Sequence, residues 1–322
     1  MQQILEFERE IYAVENQIRE LLSLSHMYDS VGDITHEVAK LKKKLRHKKR
    51  DVYNGLDGWQ KTQVARHPNR PYTLDYIQYL FRDFTELNGD RHGGFGPSII
   101  GGLAQFDQRT VMIIGHQKGR DMQEKIKRNC GMSQPAGYRK AMRLMLMAEK
   151  FSLPIITFID TPGAYPGIDA EEKGQSEAIA KNLQIMAALK VPLISIVIGE
   201  GGSGGALAIG MGNRVLMLEH SIYSVISPEG CASILWDNQK KVSQAAEALC
   251  MTAQNLLQHK IIDQIIPEPL GGAHRNHKRT ANLLRKVLRP QLNGLCSMKP
   301  EQLISQRQEK FRNLGVFMEE EG

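Results

Sequence analysis

The sequence predicts an α/β protein whose sheet is largely parallel and covered on both faces, with a helical extension at the N-terminus. Three observations lead there. The first fifty residues have helical spacing and almost no glycine or proline, short apolar runs then alternate with helix-length segments, and small-residue loops sit at the junctions. The 322 residues suffice for one large α/β domain with an appendage, or for two domains. A composition 41% hydrophobic and 24% charged is that of an ordinary globular chain and argues against disorder.

From Ile4 to about Tyr53 the only glycine is Gly32, and apolar residues recur at Ile11, Val14, Ile18 and Leu21, then at Ile34, Val38, Leu41 and Leu45. That spacing predicts two antiparallel helices joined at the polar segment 29–33. A helical pair with one apolar stripe has little of its own to bury it against, so the hairpin is expected to pack on the main domain or on a second subunit. The run KLKKKLRHKKR at 40–50 holds eight of the lysines and arginines and no acid, so the formal charge of +7 is local and the remainder is close to neutral. In a helix these charges form one solvated face with Leu41 and Leu45 inward; an acidic subunit surface or nucleic acid is the competing partner.

Beyond the turn-rich link at 66–71, Gly101–Leu103 and Thr110–Gly115 read as a strand hairpin, and Pro135–Phe151 as an amphipathic helix with Ala141, Leu144, Met145 and Ala148 inward. A strand at Ile155–Ile159, a helix at Ser176–Leu189, a strand at Leu193–Ile198, a short helix after Gly204 and a strand at Val215–Leu218 follow. Short loops between alternating strands and helices imply parallel pairing. Lys278–Val287 is again helical, and the acidic end Glu319–Glu321 is expected to fray. The division read from this is a helical assembly region at 1–65, a main domain at 66–290 and a C-terminal tail at 291–322.

The four cysteines form no C-x-x-C pair, which argues against a zinc ribbon or a disulfide framework and for a reducing compartment. No apolar run approaches the roughly 20 residues needed to span a bilayer, and the start MQQILEFEREI lacks a signal-peptide pattern, so the chain reads as soluble and untargeted.

In a fold of this kind, function sits at the C-terminal ends of the strands, where helix N-termini also point. Two segments there are nearly bare of side chains: DTPGAYPG at 160–167 and GEGGSGGALAIG at 199–210. The second fits G-x-G-x-x-G of dinucleotide sites, with Glu219 at about the distance of a ribose ligand, and also G-x-S-x-G of nucleophile elbows, with Asp263 and His274 or His277 downstream. No Gly-Lys-Ser/Thr follows, which removes a P-loop. For Ser203 the simpler role is to cap the helix. A further reading needs no side chain: glycines at the start of a buried helix leave N–H groups free to stabilise an oxygen that becomes negative, as in an oxyanion hole, or merely allow close packing. His116 reads as structural, and Ser297-Met298-Lys299-Pro300 lacks the second Met of a biotin acceptor.

The glycine block, with FIDTPGAYPG at 158–167, MIIGHQKGR at 112–120, RPYTLDYI at 70–77, SVISPEGCASILW at 224–236 and IIPEPLGGAHRN at 265–276, closely resembles the carboxyltransferase α subunits of multi-subunit bacterial and plastid acetyl-CoA carboxylases. The resemblance runs from the N-terminal helices to about residue 276 and is weaker beyond. It implies a crotonase-like (ClpP/crotonase) spiral of ββα units, and a β subunit that completes the site in an α2β2 assembly and alone carries zinc, with no metal in this chain. The reaction it implies moves the carboxyl group of carboxybiotin, tethered to a biotin carboxyl carrier protein and not to this chain, onto acetyl-CoA to give malonyl-CoA for fatty acid synthesis. Biotin carboxylase takes part indirectly. The resemblance makes Gly204 and Gly205 the biotin-side oxyanion hole, while the β subunit holds the thioester. Gly163, Ala164 and Tyr165 are then expected to line the biotin pocket, with plain packing the alternative for Tyr165, and Lys118 and Arg120, at a strand end, to meet a carboxylate or a CoA phosphate or else to lie in a solvated basic loop. The location it implies is the cytoplasm, or a plastid stroma, with neither membrane nor nucleic acid as partner.

Overall fold

The computed structural model describes residues 4–25 and 31–315. The acidic end at Glu319–Glu321 and part of the segment joining the first two helices lie outside the described residues. Those helices are α1 (Arg9–Ser25) and α2 (Val31–Asn54). Val14 and Ile18 meet Val38 between them, with Leu21, Ile34, Leu41 and Leu45 alongside, so the apolar stripe read from spacing is the seam of the pair. Most of the basic run stays in solvent while Leu41 and Leu45 are half-buried. The base of the hairpin docks on the main domain: Leu5 and Ile11 pack with Tyr53, Leu56 and Val64, the last on α3 (Gly58–Ala65). Arg275 of the main domain bonds Glu8 at 2.7 Å and Glu15 at 2.9 Å.

Helix α4 (Thr73–Leu80) leads into the sheet. Its strands are β1 (Arg82–Glu86), β2 (Ile99–Phe106), β3 (Arg109–His116), β4 (Ile155–Thr161), β5 (Leu193–Gly202), β6 (Arg214–Leu218), β7 (Ile222–Ser224) and β8 (Gln264–Ile266). They lie in the order β1-β2-β3-β4-β5-β6-β8, with β7 beside the end of β5. The first three pair antiparallel and the rest parallel. Strand order thus follows chain order from β1 to β6 without reversal. A doubly wound dinucleotide fold binds where the order reverses, and no such point exists among the described strands.

The remaining helices are α5 (Met122–Lys127), α6 (Pro135–Lys150), α7 (Ile168–Glu172), α8 (Gln175–Ala188), α9 (Ser203–Leu207), α10 (Pro228–Trp236), α11 (Val242–Ala248), α12 (Ala253–Gln258), α13 (His277–Cys296) and α14 (Pro300–Arg312). Side chains alternate between the two faces of the sheet. Met112, Ile114, Ile155, Ile159, Leu193 and Val197 pack on α6, α8 and α9, where Ala141, Leu144, Met145 and Ala148 are fully buried. Ile113, Ile156, Phe158, Ile194 and Ile196 pack on the other side, against Tyr76 and Leu80 of α4 and Leu284, Leu288 and Leu292 of α13. Burial on both faces is why β4 and β5 read as continuous apolar runs.

Two elements near the C-terminus differ from the sequence reading. Helix α13 continues beyond Val287 through Pro290, across the position where a tail was expected to begin, and α14 then docks on the core. The fully buried Arg307 of α14 donates to the carbonyls of Met186 (2.6 Å), Leu189 (2.9 Å) and Val191 (3.1 Å), capping the chain just after α8. The last carbonyls of a helix need such donors, and only the tertiary fold shows that Arg307 supplies them.

Arg70, equally buried, ties the link before α4 to the sheet. It donates to Ile198 O (2.9 Å) and to both oxygens of Glu268 (2.9 and 2.5 Å). Burial alone would raise the Glu268 carboxyl, but the Arg70 charge and the bonds it accepts hold it at about 2, against an ordinary 4.5. Glu8 is also held at about 2: burial opposes this, and His274, Arg275 and Tyr53 outweigh it. A carboxyl depressed in the folded state stabilises fully above its unfolded pKa, and that stability is lost as pH falls through the folded value. The two carboxyls should therefore make the urea midpoint fall steeply from about pH 5 toward pH 2, beneath a shallower decline that begins near pH 6.5 because burial holds His116 at about 4. Glu268→Gln should cost about 3–5 kcal/mol at neutral pH in urea denaturation and weaken that acid dependence.

Candidate functional site in the two glycine turns

Strands β4 and β5 are parallel neighbours, and both small-residue segments leave from their C-terminal ends. The ladder is regular to Ile159↔Val197 and resumes at Thr161↔Gly201, so Asp160 alone stands opposite Ile198, Gly199 and Glu200. Beyond this irregularity β5 continues to Gly202, because β7 pairs with Glu200, Gly201 and Gly202 from the other side. Gly199 and Gly201, the first two glycines of the dinucleotide pattern, are therefore strand residues and not the loop that it requires.

The turn itself is Gly202–Gly205. Gly202 occupies the N-cap of α9 without a side-chain hydrogen bond, and Ser203 is the first helical residue, at φ +47°. Ser203 thus does not cap the helix as the sequence suggested. The acid and bases that spacing offered it are engaged elsewhere: Asp263 accepts Val215 N–H at 2.6 Å, His274 stacks on His67 at 4.1 Å, and His277 bonds Asn69 O at 2.6 Å. Glu219, the ribose candidate, accepts Glu268 N–H at 3.0 Å.

What the fold does bring together is Gly205 with Gly163 and Ala164. A Cβ built on Gly205 would stand 2.5 Å from Gly163 C and 2.6 Å from Ala164 N, so only glycine lets the two turns touch. At Gly202 a Cβ would strike the Pro162 carbonyl. Gly204 is different: its nearest neighbours would be Ile179 methyls at 3.7 and 3.8 Å, and at Gly163, with φ +156°, nothing lies within 4 Å. The space in front of these two peptides is open. The N–H groups of Gly204 and Gly205 stand in the first turn of α9, where no preceding helical turn accepts from them. Ala206, Ala208 and Ile209 are buried, but Leu207 is half-exposed and lines an apolar cavity of about 320 Å³ with Gly204, Tyr223, Leu256 and Phe311. With five residues, α9 contributes free donors rather than a long dipole.

The remaining candidates separate. Tyr165 follows the Gly163–Ala164 turn, half-buried, its N–H on Ser133 O (3.0 Å) and its carbonyl on Gln175 Nε2 (2.9 Å). Lys118 extends from the end of β3 to Asp160 (2.6 Å) and lies 4.0 Å from Glu200. Burial opposes its charge, but the two carboxylates outweigh that and hold its pKa above the ordinary value. Arg120 is turned instead to the α4 segment, bonded to Pro68 O at 2.5 Å and to Asp75, with its guanidinium 4.0 Å above the Tyr72 ring. His116 is fully buried beside the Gly205 and Phe158 backbone, and burial brings it down to about 4, so at neutral pH it carries no charge.

Asp160, Glu200 and Arg66 were not singled out from the sequence. Arg66 bridges Glu200 (2.7 Å) and Glu229 (2.5 Å), joining β5 to the start of α10. The signal for the acids was present: each is a charge inside an otherwise bare or apolar stretch. Arg66 gave none. Away from the turns, ligand atoms of Glu8, His67 and His274 lie within 4.8 Å of one another. Asn69 N–H donates to His67 Nδ1 (3.1 Å) and Arg275 donates to Glu8, so this cluster is a hydrogen-bonded joint between the N-terminal segment and the core.

Solved structures share this architecture. Transcarboxylase 12S superposes with a TM-score of 0.59 at 17% identity over 71% of this chain, which spans only 42% of that one. A Pseudomonas malonate decarboxylase hetero-tetramer gives 0.57 at 17% identity over 73% of this chain and 91% of that one. The architecture they share with this chain is the crotonase-like fold. Residues 4–315 match the family described as acetyl co-enzyme A carboxylase carboxyltransferase-like. Among curated relatives, the acetyl-coenzyme A carboxylase carboxyl transferase α subunits of Azoarcus sp. and Tolumonas auensis are 54% and 56% identical, covering 98% and 97% of this chain and 98% of each relative. The chain belongs to this carboxyltransferase family, as an α subunit. No helix among the described residues is long and apolar enough to cross a membrane.

The contrast between adjacent glycines is testable by denaturation. Gly205→Ala should cost about 1–3 kcal/mol through overpacking against the Gly163–Ala164 peptide. Gly204→Ala, which has room, should stay within about 1 kcal/mol of the wild type or gain slightly.

Proposed function

We propose that this chain, joined to a carboxyltransferase β subunit in an α2β2 assembly, transfers the carboxyl group from carboxybiotin on a carrier protein to acetyl-CoA, giving malonyl-CoA, in the cytoplasm or a plastid stroma. The observation that carries the reading is the first turn of α9 at Gly204 and Gly205, whose N–H groups have no preceding helical turn to accept from them, set against the Gly163–Ala164 turn with open space at Gly204 and Gly163. Carboxybiotin supplies the activated carboxyl group, and its ureido oxygen gains negative charge as that group leaves. A bare backbone suits such an oxygen, since an approaching ligand meets no side chain at Gly163 or Gly204.

In this reading Gly204 and Gly205 donate to the ureido oxygen, Gly163 and Ala164 shape the pocket floor, and Tyr165 forms its wall. Lys118 sets the charge balance of the cleft with Asp160 and Glu200. Arg120, held on the α4 segment, faces the carboxylate or a CoA phosphate. The thioester is held by the partner, so the chain by itself has half a site. Donors fixed in a buried turn need no reorganisation as charge develops, which is why each is typically worth about 2.7–4 kcal/mol of barrier.

Malonyl-CoA-driven carboxylation of free biotin should be absent with this chain alone, appear on mixing with a β subunit, and fall roughly 100- to 1,000-fold in Gly204→Val, whose side chain fills the open space before the turn and keeps a ligand oxygen from its donors, with assembly intact. Activity retained in the variant would move the chemistry away from this turn. No activity on mixing would remove the carboxyl-transfer reading.

A further inference from the structure

We infer that Asp160 is a positioning residue for the glycine turn: its carboxylate closes the irregular rung of the β4/β5 ladder and so fixes where Gly202–Gly205 stand relative to Gly163 and Ala164. The rung at Glu200 is closed by no carbonyl of β4. Glu200 N–H instead donates to Asp160 Oδ1 at 3.0 Å. Glu200 is buried, and a buried N–H left unpaired costs about 1–3 kcal/mol.

The carboxylate is held from both sides. Lys118 Nζ binds it at 2.6 Å, and the missing side chain of Gly199 leaves the space it occupies, since a Cβ there would collide with the Asp160 carboxyl group. Two residues after Glu200 the backbone reaches Gly202, packed on the Pro162 carbonyl, and then Gly205 against the Gly163–Ala164 peptide. An error in register at Glu200 is therefore passed directly to the donors. Asp160 sits at the root of both turns, in β4 just before Thr161 and bonded to β5, so it acts through them without itself reaching the ligand.

The turnover part of the test rests on the proposed function; the exchange part does not. The complex of this chain with a β subunit is assayed for malonyl-CoA-driven carboxylation of biotin, and amide hydrogen exchange is followed over residues 199–205. Asp160→Ala should lower kcat roughly 100-fold, the loss that a displacement of about 1 Å produces, with the malonyl-CoA KM nearly unchanged. Exchange over 199–205 should rise roughly tenfold relative to the rest of the sheet. Asp160→Asn retains an acceptor oxygen for Glu200 N–H and should recover most of both. Wild-type kcat and exchange in Asp160→Ala, or an Asn variant as impaired as Ala, would overturn the inference. Should Asp160→Ala fail to fold, Gly199→Ala displaces the carboxylate from the opposite strand, and wild-type exchange in that variant would overturn it equally. A wild-type complex without turnover counts against the proposed function, while the exchange comparison still decides the role of Asp160.

Discussion

Contact between two backbone turns, Gly163–Ala164 after β4 and Gly202–Gly205 after β5, is the constraint on which the site depends. The second turn can carry no side chain at the contact, because Gly205 and Gly202 each have backbone of the first where a Cβ would project. The parallel ladder brings the strand ends side by side, and burial on both faces keeps them there. Conformational freedom of glycine, a cost in the unfolded chain, is offset by the close backbone contact that it permits beside open space at Gly163 and Gly204.

Charge organises what the glycines leave open. Lys118, at the end of β3, lies between the acids Asp160 of β4 and Glu200 of β5, and Arg66 links Glu200 to Glu229 of α10. Buried charges persist only when paired and hydrogen-bonded, and each of these has a partner within bonding distance. His116, beneath the turn, is kept neutral by burial and adds no competing charge.

Elements with strong periodicity were legible in the sequence: the hairpin seam, the β2–β3 pair, α6 with the four residues read as inward, and β4 through β6. The short pieces were not. Strand β7 is three residues long, and its existence follows from pairing with the far end of β5, which local propensity does not encode. For the same reason β5 looked finished at Ile198, although tertiary partners extend it to Gly202. Ser203 looked like a cap because serine usually is one. Its positive φ and the N-cap at Gly202 come from the tight packing of the turn. Of the candidate site, glycines were readable from the absence of side chains, whereas Asp160 and Glu200 needed the ladder irregularity to acquire meaning. Lys118 and Arg120, two residues apart in sequence, part company because β3 ends between a carboxylate on one side and the α4 segment on the other.

The central claim is that backbone donors of this chain receive the oxygen on which charge develops. The most direct measurement is a structure of the α–β complex with a biotin derivative bound. The account predicts the ureido oxygen about 2.7–3.1 Å from the N–H groups of Gly204 and Gly205, in front of the Gly163–Ala164 turn. A ureido oxygen held instead by side chains, or by the partner alone with these two N–H groups facing solvent, would contradict it.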